Sequence, residues 1–160
     1  MRNRTFAKYA FAVTFVFGIG ILGLMIFGPD AGAMAQSDPL PHMPSPENAR
    51  VYIISPAEGA VVSSPVLVQF GLSGMGVSPA GLVKENTGHH HLAIDRALPP
   101  LDGYLPASDK TFRHFGSGQT EIMLDLVPGT HTLQLILGDQ DHLPHDQPVV
   151  SEQITITVEE

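Results

Sequence analysis

His89, His90 and His91 open the run Thr87-Gly88-His89-His90-His91-Leu92-Ala93-Ile94-Asp95, in which apolar and polar residues then alternate. Such alternation is the pattern of a β-strand, whose successive side chains point to opposite faces. On that reading His90 shares a face with Leu92 and Ile94 and points to a core. His89 and His91 share the other face with Ala93 and Asp95. Two imidazoles at i and i+2 on one strand face stand about 6 to 7 Å apart. Both can then reach one metal ion, and imidazole suits zinc, copper and nickel. The same residues serve equally as a polar strand edge or a partly buried hydrogen-bonding cluster.

Apart from His42, the remaining histidines lie later in the chain, at His114, His131, His142 and His145. His114 sits in Phe112-Arg113-His114-Phe115-Gly116, just before a strand-like run. His142 and His145 fall in Asp139-Gln140-Asp141-His142-Leu143-Pro144-His145-Asp146, a loop dense in oxygen and nitrogen donors, and either could instead shape a turn around Pro144. His131 opens a strand and reads as a structural imidazole, and His90 reads the same way. The spacing of Asp139 and Asp141 does not complete an EF-hand calcium loop.

These groups need a scaffold, and the chain supplies one after a leader. Arg2, Arg4 and Lys8 precede an apolar run from Ala10 to Phe27, and Ala33-Met34-Ala35 offers small residues at a cleavage point. Residues 1–35 therefore read as a secretory signal peptide, or as an uncleaved anchor since the apolar run is long. Its loss removes three of eight Lys and Arg and one of sixteen Asp and Glu, leaving 5 against 15, a net charge of −10. So acidic a domain attracts cations and does not seek nucleic acid, which demands a basic surface. The chain has no cysteine, which excludes disulfides, thiolate metal ligands and a cysteine nucleophile. A periplasmic or secreted location follows from the leader.

Residues 36–48, with Pro39, Pro41, Pro44 and Pro46, read as a stiff extended linker in which His42-Met43 offers soft-metal donors. Residues 49–160 form one domain of ordinary size. Strand-like runs fall at 50–54, 66–72, 90–95, 120–126, 131–137 and 148–158, separated by Gly and Pro turns. The longest loops between them are 73–88 and 96–110. No helical period of useful length follows the leader. This pattern predicts an all-β fold, an immunoglobulin-like antiparallel β-sandwich of about seven strands. The loop after residue 137 is expected to meet the start of the strand at 89, with His131 at the far end.

An ordered set of phrases carries a family resemblance. It comprises Gly74-Met75-Gly76-Val77-Ser78-Pro79-Ala80-Gly81, the run from Asn86 to Asp95, and His114-Phe115-Gly116-Ser117-Gly118-Gln119. It continues through Pro128-Gly129-Thr130-His131 and ends with Gly138-Asp139, His142, Pro144-His145 and Pro148-Val149-Val150-Ser151. Over residues 50–158 the chain resembles the exported bacterial domain of unknown function DUF4399. That resemblance implies a family and no activity. A looser likeness is to copper–zinc superoxide dismutase, a β-sandwich with His-x-His on a strand, whose disulfide this chain cannot form.

The expected function is a metal-binding module of the periplasm, taking copper first and zinc second. His89 and His91 are the expected core ligands, completed by His114, His142 or His145. The alternative is a module without metal that contacts an envelope protein or glycan. An enzyme, either metal-dependent or acting through a histidine–aspartate pair, is the third reading; the Gly-x-Ser-x-Gly motif of a serine nucleophile is absent.

Overall fold

The computed structural model describes residues 40–160. The leader and the first residues of the proline-rich segment lie outside that range. Among the described residues no helix is long and apolar enough to cross a membrane.

The domain is all-β. Its strands are β1 (Arg50–Ser55), β2 (Val61–Ser63), β3 (Val66–Ser73), β4 (Gly76–Val77), β5 (Thr87–Ile94), β6 (Phe112–His114), β7 (Glu121–Leu124), β8 (Gly129–Gly138) and β9 (Ile154–Glu159). They form two sheets, ordered β1-β3-β7 and β2-β9-β8-β5-β4, with β6 also paired to β5. The alternating residues read from the sequence meet between the sheets. Val66, Val68 and Phe70 of β3 and Leu124 of β7 face Leu92 and Ile94 of β5, Leu133, Leu135 and Leu137 of β8, and Ile156 and Val158 of β9. Complete burial of a Leu or Phe side chain contributes about 1.5–3 kcal/mol, so this layer is the main source of stability in a chain without disulfides.

The structure departs from the expected pattern in three respects. The ladders are not all antiparallel, since β2 runs parallel to β9 and β4 parallel to β5. The elements β2, β4 and β6 span only two or three residues each, too short to display a period. The closing run also begins late: Val150 makes an isolated bridge to Ile136, and regular pairing starts only at Ile154.

A second apolar cluster lies on the outer face of the larger sheet. Ala93, Leu105, Phe112 and Ile136 are buried there, with Leu98 and Val150 packed against them. The segment between β5 and β6 therefore covers the sheet as a lid. Arg96 fastens it by reaching over the Phe112 ring, 5.4 Å from its centre. Asp109 Oδ1 fastens it by accepting the amides of Thr111 at 2.6 Å and Phe112 at 2.7 Å. As a result β5 is buried on both faces from Gly88 to Ile94.

Candidate metal centre

Strand alternation splits the three histidines as their sequence predicts. His90 lies on the inner face with its ring 5.3 Å from that of Phe70. His89 and His91 lie on the outer face, and both are fully buried beneath the lid rather than lining an open edge. Their Nε2 atoms are 3.0 Å apart.

Two further elements deliver imidazoles to the same place. In the β5–β6 ladder His114 is the direct partner of His91, and their rings are 5.0 Å apart. In the β5–β8 ladder His89 is opposite Gly138, so the turn that follows β8 folds back over the histidines. That turn is built by Asp139. Its Oδ1 accepts the amides of Asp141 at 2.8 Å and Leu143 at 2.9 Å, an arrangement typical of an Asp-initiated turn. His142, between them, adopts a φ of 68°, uncommon for a residue with a side chain. The Leu105 amide of the lid donates to the His142 carbonyl at 2.8 Å, and His142 Nε2 stands 3.1 Å from His114 Nε2.

The imidazole donors of His89, His114 and His142 all lie within 4.8 Å of one another, and His91 adjoins through His89. With zinc–nitrogen bonds of about 2.0–2.1 Å, the edges of a tetrahedral site are about 3.3 Å. The contacts at 3.0 and 3.1 Å are close to that spacing.

Burial keeps these rings uncharged. Desolvation, with repulsion from His142 and His114, lowers the His89 pKa to about 3. Desolvation, with repulsion from His89, lowers that of His91 to about 2. His114 is shifted downward for the same two reasons, burial first and then His142. Each of these three rings is thereby held in its neutral form, with one ring nitrogen free to coordinate, the state a metal requires. Glycines leave room for them: a Cβ at Gly116 would collide with the His114 ring, and one at Gly138 would lie 3.0 Å from His91 Nε2.

The family model described as a domain of unknown function, DUF4399, matches residues 68–159, more than half of the chain. The chain belongs to the DUF4399 family. No curated protein and no solved structure matches it. The matched DUF4399 span contains β5, β6, β8 and the turn after β8, hence every histidine of the cluster.

Of the five expected ligands the structure therefore brings together His89, His91, His114 and His142. His145 stands apart, with Nε2 positioned to donate to the Thr87 carbonyl at 3.2 Å. His42 lies in the proline-rich segment, and its Nδ1 donates to the Pro144 carbonyl at 2.6 Å. The Asp146 amide donates to the Met43 carbonyl at 2.8 Å and the Ser45 amide to the Asp146 carbonyl at 3.1 Å. This segment thus straps the loop that carries His142. His131 is structural: Nδ1 donates to Asp95 Oδ2 at 2.7 Å and Nε2 to the Val127 carbonyl at 2.8 Å. Asp139 serves neither as a calcium contact nor as a member of the histidine cluster but as the residue that builds this turn. Its position directly after a strand, in Asp-x-Asp-His, was the legible signal of a turn.

Proposed function

We propose that this DUF4399 domain is an exported metal-binding module that holds one divalent ion, copper first and zinc second, among His89, His91, His114 and His142. The observation that carries the reading is the convergence of Nε2 atoms from two strands and a turn, at 3.0 and 3.1 Å within each pair. A purely structural role accounts poorly for it. In each Nε2···Nε2 contact only one ring can donate. A bound ion engages the converging lone pairs together. An all-nitrogen site favours Cu(II) over Zn(II) by the ordinary order of divalent affinities.

The scaffold we propose is of immunoglobulin type. The orders β1-β3-β7 and β9-β8-β5 correspond to A-B-E and G-F-C of that architecture, which supports the assignment. The leader motif supports export to the periplasm or beyond.

The test is titration calorimetry of the purified protein with Cu(II) and Zn(II). The expected result is one ion per chain, with uptake abolished in His89→Ala/His91→Ala. Absence of heat with both ions, or equal binding by the double variant, defeats the reading.

A second reading, a metal-free module contacting an envelope protein, draws on the outer face of the smaller sheet. Tyr52, Ile54, Leu67 and Met123 are exposed there, a row of apolar side chains on one surface. A melting temperature indifferent to metal, with a crosslinked partner lost in Tyr52→Ser/Met123→Ser, would favour it.

A further inference from the structure

We propose that an ion held among His89, His91, His114 and His142 keeps one coordination position open toward the groove beside the lid, and that this position takes a small anion from solvent. The inference rests on the metal reading above and adds to it a second ligand and a route.

The cluster is asymmetric. His89 and His91 are fully buried, whereas His114 and His142 are half-buried. The latter two form one wall of a groove of about 410 Å³, completed by Tyr104, Pro106, Ser108 and Asp141. That volume lies within the range of small-molecule sites, about 300–1,000 Å³. An ion among these rings is thus reached from the groove side, while β5 closes the other. His91 stands on the closed side: its ring is 5.9 Å from that of His142, the widest separation among the paired rings of the cluster. Two of the donors, His114 and His142, line this cavity, so an ion they hold can take water or an exogenous ligand from that side.

Charge then selects what enters. Every protein donor is a neutral imidazole, so a divalent ion arrives with its charge uncompensated. Asp141 is the acidic residue of the groove wall, and its Oδ2 already accepts from Gln140 Nε2 at 2.9 Å. One carboxylate offsets at most half of the ion's charge, and an anionic ligand supplies the remainder.

The experiment loads the full chain with one equivalent of Cu(II) and titrates it with azide. The expected result is a saturable charge-transfer absorption accompanied by a change in the copper resonance spectrum. Ser108→Trp, at an exposed position of the groove lining, is expected to weaken azide at least tenfold with copper affinity unchanged. Copper that loads normally but shows no spectral response to azide means a closed site and overturns the inference alone. Azide binding untouched by Ser108→Trp overturns the proposed route. Failure to load copper or zinc overturns the metal reading and takes this inference with it.

Discussion

His91 and His114 are direct partners across the β5–β6 ladder, with ring centres 5.0 Å apart. They are separated by 23 positions in sequence and joined by the lid, under which His91 is fully buried and His114 half-buried. The lid therefore both delivers a donor and excludes water from the other side.

Gly116 keeps that pair in register. A Cβ there would run into the His114 ring, while its backbone conformation suits any residue. Gly116→Ala is expected to displace the ring and weaken metal binding by tenfold or more, about 1.4 kcal/mol. Stability of the metal-free protein should change little. Calorimetry showing wild-type affinity would rule this out.

His145 supports the site without entering it. It is buried, and its Nε2 is committed to the Thr87 carbonyl. His145→Ala should cost on the order of 1–3 kcal/mol of stability, from lost packing and an unpaired carbonyl, and leave the stoichiometry at one ion. Loss of metal uptake at a temperature where the variant remains folded would instead make His145 a ligand.

The metal-free domain should be acid-labile. His89, His90 and His91 have folded pKa values lowered to about 3, 4 and 2, burial being the largest cause in each. In the unfolded chain they titrate near 6.5. Below about pH 6.5 the unfolded state takes up protons that the folded state refuses, so stability falls as pH falls. Each histidine contributes a slope of up to about 1.4 kcal/mol per pH unit. Urea unfolding at pH 7.5, 6 and 5 measures this, and a flat profile would contradict it.

His131 acts in the opposite sense. Burial disfavours its charge, but donation to the Val127 carbonyl and the Asp95 carboxylate outweighs that and raises its pKa. Its stabilising contribution is complete below the unfolded value near 6.5 and disappears as pH rises through the higher folded value. Asp95→Asn should flatten this limb above about pH 6.5, and Asn tolerates the φ of 55° at that position. Salt should weaken the effect in the wild type, since the Asp95 side chain is 43% exposed. Identical profiles for the two proteins would refute the pairing.

The sequence by itself determined what rests on local period and residue type. Val66, Val68 and Phe70, and Leu133, Leu135 and Leu137, were legible as inward faces because alternation is a property of a single strand. The same rule separated His90 from His89 and His91 before any fold was known. The side-by-side reversal of antiparallel neighbours put the loop after residue 137 within reach of the start of β5. What the tertiary structure alone decided depends on distant pairing. The strands β2, β4 and β6 are too short to show a period, so their partners and the parallel ladders could not be read. That β5 is buried on both faces follows from a lid of prolines, Leu105 and Phe112 whose resting place no local pattern encodes. Which histidines converge was decided by register: the β5–β6 ladder brings His114 to His91, and the Asp139 turn brings His142 to His114, while one carbonyl at Thr87 holds His145 aside.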